Sequence, residues 1–282
     1  MPVRVAGLLR LGHPFPSLLD GLVTAVLALV AGADPTRAAL LGIAMIGLQV
    51  SIGAVNDLAD VDRDRAHKPA KPLPNGLVTR PVARTVAIVG LLIGLGLSLL
   101  IGPWTLVVVA ASGVLAGYAY DLRLKGTAWS WLPFAVGLPL LPIYAWIGAV
   151  GRVPAAFVIL VPLAIVAGGA VALLNGLVDI ERDRAAGLET AAVRLGAHRA
   201  RQVAAALLTS VAVAVGISLS VVGADGRAWL AAIAGMILTV VGLVLVGDRS
   251  SARRERGWES GAIGLGLLAV GWAIGFAGRG LL

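Results

Sequence analysis

Cysteine is missing from all 282 residues, so disulfides and thiolate metal sites are excluded and redox chemistry says nothing of the compartment. Histidine is nearly as scarce. His13, His67 and His198 have no ligand-spaced partners, and each is expected at the surface. Neither a Ser-His-Asp nor a Cys-His arrangement is available, so covalent nucleophilic catalysis is not expected. Charge is thin, at 13% of residues, and aromatic residues make up 5%. Hydrophobic residues fill 59% of the chain and the mean hydropathy is +0.93, the composition of an integral membrane protein.

Nine spans are expected, at about 16–33, 36–58, 82–102, 103–120, 129–150, 154–178, 202–222, 229–247 and 258–278. The third and fourth meet at Gly102-Pro103. Trp104, Trp129, Trp229 and Trp258 fall at expected span ends, where indole rings anchor at an interface. No loop is longer than about 25 residues, so residues 1–282 read as a single polytopic membrane domain. Met1–Pro16 lacks a small-x-small cleavage pattern and is interrupted by Pro14 and Pro16; it reads as a short amphipathic surface helix with Arg4 and Arg10 near headgroups.

The basic residues orient the chain. If the N-terminus and the 59–81, 121–128, 179–201 and 248–257 loops share one side, that side holds 19 of the 23 Lys and Arg. Arg37, Arg152, Arg227 and Arg279 are left on the other. The expectation is a cytoplasmic N-terminus, cytoplasmic loops and an outside C-terminus. The net charge of +8 then reflects topology and anionic lipid; no aromatics interleave in the basic loops, and no nucleic-acid partner is expected. No required protein partner is evident. Richness in Ala, Val, Gly and Arg suggests a prokaryotic plasma membrane.

What the chain does have is an acidic motif, twice. NDLADVDRDRA begins at Asn56 and NGLVDIERDRA at Asn175, with seven identities in eleven positions. Each copy spaces its oxygen ligands by four residues: Asn56, Asp60 and Asp64, then Asn175, Asp179 and Asp183. On a helix such steps return to one face, so each copy is expected to form a ridge where a long apolar segment ends. Seven of the fifteen acids lie in Asp57–Asp64 and Asp179–Asp183. Carboxylates that close repel unless a cation binds them, and oxygen-only donors suit Mg²⁺, the pattern of a metal–diphosphate site. Asp62 and Glu181 fall off the ridge and read as solvated or as partners of arginines. Asp57 has no acidic counterpart at Gly176 and reads as a supporting group or a cation partner. Both motifs end spans of the same direction, so the repeat is parallel: four helices at about 16–120, four at about 129–247, and a ninth at about 258–278.

The loop after the first motif carries Arg65, Lys68 and Lys71 and then PLPNG, whose prolines stop the helix and whose Gly76 is free to take positive φ. That turn is expected to hold Lys68 and Lys71 above the acids, where cations clamp a diphosphate. Tyr120-Asp121-Leu122-Arg123-Leu124-Lys125-Gly126 closes the fourth span on the same side; Tyr120 and Lys125 are candidates for the diphosphate and Arg123 for an acceptor or headgroup. Interfacial anchoring explains the same residues equally well. Asp20 is a stray acid near the start of the first span, either interfacial or a polar group in the cavity.

NDLADVDRDR, then KPAKPLPNG, YDLRLK and NGLVDIERDRAAGLET, in this order along the whole chain, resemble the UbiA superfamily of intramembrane prenyltransferases. The resemblance implies an all-α membrane fold of nine transmembrane helices. It implies transfer of a prenyl group from a prenyl diphosphate to an acceptor, an aromatic or quinone precursor being favoured, with two Mg²⁺ ions. Asn56, Asp60, Asp64, Asn175, Asp179 and Asp183 would then hold the metal around the diphosphate, and Lys68, Lys71, Tyr120 and Lys125 would grip phosphate or shield the cation. Lys71 stands where Arg is usual, Asn75 where Ser is common, and Glu189 where Lys often precedes the Thr.

The chemistry agrees with that. Loss of a metal-bound diphosphate gives C1 carbocation character, apolar walls exclude water, and an acid from one of the ridges, Asp60, Asp64, Asp179 or Asp183, removes the nucleophile's proton. A terpene cyclase of the same superfamily and a divalent-cation or phosphate-coupled transporter are the alternatives. The acceptor, whether an aromatic acid, a quinone precursor, a tetrapyrrole or a phosphorylated sugar or glycerol, is left open.

Overall fold

The computed structural model describes residues 2–282, except the side chains of residues 2–6 and of His67. The expectations for Met1 and for the Arg4 and His67 side chains lie outside the described residues. Among those residues the chain is helical, without strands. A short α1 (Pro2–Leu11) precedes α2 (Pro14–Val30), α3 (Pro35–His67), α4 (Arg80–Ile101) and α5 (Trp104–Ala119), which ends in a π-helical turn, Tyr120–Leu124. There follow α6 (Leu132–Val150), α7 (Phe157–Val178), two short helices α8 (Ile180–Ala185) and α9 (Ala191–Leu195), then α10 (Ala197–Val221), α11 (Gly226–Leu245) and α12 (Ser251–Ala277).

The starts are written locally. Asp34 caps α3 by accepting from the Thr36 and Arg37 amides, both at 3.0 Å, with Pro35 in the first turn. Asp225 caps α11 in the same way through Arg227 and Ala228. Gly102 and Pro103 separate α4 from α5 at the expected corner. Each expected span has its helix. Eight of the nine are long and apolar enough to cross a membrane; the first, α2, has 17 residues and is short of that standard. Its length is about 25 Å, less than a hydrocarbon core of about 30 Å. The count of nine crossings therefore rests on α2.

The chain divides into two compact units, Met1–Arg123 with Ile143–Gly151, and Leu124–Pro142 with Arg152–Leu282. In the first, α3 packs against α2, α4 and α5. Gly47 and Gly90 let α3 and α4 touch: a Cβ on either would meet the other's carbonyl oxygen at 2.9 or 2.7 Å. Arg37 ties the start of α3 to two helix ends, donating to Gly148 O and Ile101 O, each at 2.6 Å. Ile88, Leu92 and Leu99 remain exposed on α4, as a face turned to lipid requires.

In the second unit, α11 and α12 touch backbone to backbone. A Cβ on Gly235 would meet the Gly264 carbonyl at 2.6 Å, and one on Gly242 the Gly257 carbonyl at 2.7 Å. Trp272 is fully buried on α12 and stacks on Phe276 with ring centroids 4.0 Å apart.

Candidate functional site

The first motif occupies the last turns of α3, where the helix runs on unbroken to His67. Asp57, Asp60 and Asp64 are buried, at 2%, 7% and 4% exposure, which is unusual for carboxylates and calls for counter-charges. Side chains of the same unit supply them. Arg63 Nη2 donates to Asp60 Oδ1 at 2.6 Å. Lys71 Nζ lies 2.8 Å from Asp57 Oδ1 and 2.7 Å from Asp64 Oδ2, and His13 Nε2 lies 3.2 Å from Asp57 Oδ1. Asn56 Nδ2 donates to Asp121 Oδ1 at 2.6 Å, joining the ridge to the π-helical turn.

The loop reaches the acids because its apolar residues are pinned. Leu73 and Val78 bury among Leu11, Ala54, Val61, Ala83 and Ala87. The chain between them turns at Gly76, whose φ of 78° is the expected positive value, and Asn75 Oδ1 accepts from the Leu77 amide at 2.9 Å. Lys71 is thereby held over the ridge. Lys68 is half-buried at the end of α3, its amide donating to Asp64 O at 2.7 Å. Burial alone would lower the Lys71 pKa, but the charges and hydrogen bonds of Asp57 and Asp64 outweigh it and hold it above the usual lysine value.

Arg65 is exposed and pairs with Asp62 at 3.2 Å, and Arg80 holds the same carboxylate at 2.9 Å, so Arg65 turns away from the buried acids. Tyr120 is half-buried in the π-helical turn, Arg123 is exposed there, and Lys125 is half-buried just after it. His13 was expected at the surface without a partner. It is half-buried against Asp57 instead, in a left-handed conformation with φ 47° at the corner between α1 and α2. Asp121 and Arg63 carried no expectation. The one signal for Asp121 was an acid set among the cations of YDLRLK.

The second motif departs from the expected ridge. Helix α7 stops at Val178, Asp179 adopts φ −110° and ψ 13°, and the chain restarts as α8, so Asn175, Asp179 and Asp183 are not on one continuous helix. The cause is Arg254 on α12. Its Nε donates to Val178 O at 3.3 Å, taking the carbonyl that a continued helix would offer to residue 182, and its other nitrogens clamp the Glu181 carboxylate at 3.1 and 2.6 Å. Ile180 buries at the break. Asn175, Asp179 and Asp183 are half-buried, and Arg182 pairs with Asp179. Downstream, Glu189 N–H donates to Gly126 O at 3.0 Å and Thr190 caps α9, its hydroxyl accepting from Val193.

Both motifs are oxygen donors, the chemistry of a hard divalent cation. In the first, the buried carboxylates already lie against cationic side chains. Among the described residues, no three acid or histidine side chains converge closely enough to hold a metal ion as they stand. The donor types fit the metal; Arg63 holds one oxygen of Asp60 and Lys71 one of Asp64.

Comparison with known proteins gives the family and the fold of the chain. A model of the UbiA prenyltransferase family matches residues 19–262. The digeranylgeranylglyceryl phosphate synthase of Methanopyrus kandleri is 30% identical over 267 residues, covering 93% of this chain and 96% of that protein. The chloroplastic chlorophyll synthase of Arabidopsis thaliana is 32% identical over 158 residues, 52% of this chain and 41% of its own length. A UbiA homolog from Archaeoglobus fulgidus, solved bound to DMAPP and Mg²⁺, has the same fold, with a TM-score of 0.72 at 19% identity over 95% of this chain and 98% of that one.

Proposed function

This chain belongs to the UbiA prenyltransferase family, and we propose that it moves a prenyl group from a prenyl diphosphate to a membrane-borne acceptor, with Mg²⁺ held by its acidic motifs. The observation that carries this reading is the buried trio Asp57, Asp60 and Asp64, gathered with Lys71 at the end of a membrane-crossing helix. The Archaeoglobus neighbour bound to DMAPP and Mg²⁺ supports the donor class and the metal.

Asn56, Asp60 and Asp64 in the first copy, and Asn175, Asp179 and Asp183 in the second, are the metal ligands in this reading, serving two ions. Bound there, the cation would stabilise the charge that leaves with the diphosphate. Lys68, Lys71, Tyr120 and Lys125 hold phosphate oxygens, Lys71 passing from carboxylate to phosphate when the donor enters. Asp57, itself in contact with His13, steadies Lys71 until then. Apolar helices keep water from C1 as its bond to oxygen breaks, and an acid of the motifs takes the proton of the attacking group. Both motifs lie at the cytoplasmic face of a prokaryotic plasma membrane.

The Methanopyrus relative makes a prenylated glyceryl phosphate the first acceptor to try, ahead of the aromatic or quinone precursor favoured on sequence. The test is purified protein in detergent with prenyl diphosphates of increasing length, with and without Mg²⁺, following diphosphate release and products by mass spectrometry. Mg²⁺-dependent release lost in Asp60→Ala/Asp179→Ala, with a prenylated acceptor, is the expected result. A cyclic product formed without acceptor would move the reading to a cyclase; no release from any donor would sink it.

A further inference from the structure

One acid on an apolar helix takes no part in the motifs. Asp20 on α2 accepts a 2.5 Å hydrogen bond from Gln49 Nε2 on α3. Among the described residues neither side chain has another hydrogen bond or ion pair. Both belong to apolar helices, where a carboxyl group is costly and persists where it has something to bind.

The pair faces inward. Leu18 and Leu22 on α2 are 59% and 63% exposed, and each is two residues from Asp20, about 200° around the helix. Asp20 therefore points away from the lipid-facing leucines, and it is half-buried. On α3, Gln49, Asn56 and Asp60 are spaced by seven and four residues, so the three share one stripe. Gln49 sits about 10 Å along that stripe from Asn56, on the membrane side of the motif.

A helix clasp is the plainer explanation, but the clasp exists already. A Cβ on Gly21 would meet Gly42 O at 2.9 Å, and one on Gly42 would meet Gly21 O at 2.8 Å. The backbones of α2 and α3 touch beside Asp20, and that contact needs no buried carboxyl to hold it.

Nor does the donor need it. The isoprenoid of a prenyl diphosphate has no polar atom beyond its diphosphate, so along the stripe below the motif it offers Asp20 and Gln49 nothing to bind. The matching group belongs to the other substrate. We propose that Asp20 and Gln49 form a polar subsite that receives a hydroxyl group of the acceptor. Gln49 orients the carboxyl group through Oδ2, which leaves Oδ1 and the amide oxygen for the incoming group. A hydroxyl suits this pair because it both donates and accepts. The acceptor class is thus an alcohol or a phenol, and Asp20 is a positioning residue. The inference rests on the prenyl-transfer reading above.

The test compares wild type with Asp20→Asn and Gln49→Leu in detergent. Four quantities are read: Tm, Mg²⁺-dependent diphosphate release from the donor alone, acceptor KM, and, for the phenol, whose ring carbons can still be alkylated once its oxygen is methylated, the preference for the acceptor over its methyl ether. The acceptors are a glyceryl phosphate with one prenyl ether and a free hydroxyl, and para-hydroxybenzoate. The expected result is an acceptor KM raised about tenfold or more in both variants, the loss of one hydrogen bond to a carboxyl group, with donor release and Tm unchanged and the preference over the ether lost. An unchanged KM, or a fall in Tm and donor release that accompanies the KM change in both variants, overturns the proposal. So does wild-type transfer confined to acceptors without a hydroxyl. If Asp20→Asn does not fold, Gln49→Leu decides. Wild type that releases no diphosphate sinks the prenyl-transfer reading itself, and the subsite with it.

Discussion

Lys71 Nζ stands 2.7 Å from Asp64 Oδ2 with Asp57 Oδ1 2.8 Å away on its other side, so one ammonium joins two buried carboxylates of a single helix. In the proposed reading, a divalent cation would supply the counter-charge that this ammonium supplies now. Lys71→Met should therefore leave both acids short of a counter-charge and lower the stability of the metal-free protein by about 2–4 kcal/mol. Mg²⁺ should restore more of the loss than it adds to wild type, because it binds the folded state where the ammonium is missing. Thermal melts of both proteins in EDTA and in Mg²⁺ check this; coincident melting in EDTA would refute it.

The same residue sets an alkaline limit. Its folded-state pKa is raised: burial opposes the shift, and the neighbouring Asp57 and Asp64 more than reverse it. Stability from the charged lysine is then fully present below its unfolded value of about 10.4 and lost as pH rises through the higher folded value. Wild type in EDTA should lose stability above about pH 10.4, and Lys71→Met should lose less over the same interval. Melts at stepped pH, read as the difference between the two proteins, give the result.

Arg254 shapes the second motif from a distance. Arg254→Ala returns the Val178 carbonyl to the helix and releases Glu181, so Asp179 should lose its present orientation. We expect diphosphate release to drop about tenfold or more, equivalent to about 1.4 kcal/mol. Arg254→Lys should not restore it, because an ammonium lacks the planar fork that spans both acceptors. Glu181→Gln, at a side chain 62% exposed, should stay near wild type. The three variants belong in one donor-release assay.

Glycine separates the packed from the open. Gly235→Ala drives a methyl to 2.6 Å from the Gly264 carbonyl and should cost about 1–3 kcal/mol as α11 and α12 part. At Gly96 nothing lies within 4 Å, and Ala there should be neutral or stabilising by up to about 1 kcal/mol through helix propensity. Paired melts in one detergent distinguish the two; equal effects would count against the packing account.

The first ridge was legible because its period of four matches a helix that continues through it. Gly102-Pro103 and the PLPNG turn were legible for similar local reasons. The break at Asp179 was not, since its cause is an arginine on α12, joined to Val178 and Glu181 only after folding. His13 and Asp121 were missed on the same ground: their partners, Asp57 and Asn56, lie 44 and 65 residues away. Asp20 was legible as an oddity, but Gln49, 29 residues further on, had to be brought beside it before the acid had a meaning.

The joint at Asp179 makes duplicated sequence unequal in its tolerance of change. An added residue inside α3 between Asp60 and Asp64 would swing Asp64 by about 100° and carry it off the stripe. The same addition at Asp179 falls where one helix has already ended and another has yet to begin, so it shifts Asp179 without turning a continuous helix through about 100°. Insertions and deletions should thus accumulate around the second copy and be purged from the first, so that ancestral symmetry erodes from one side only.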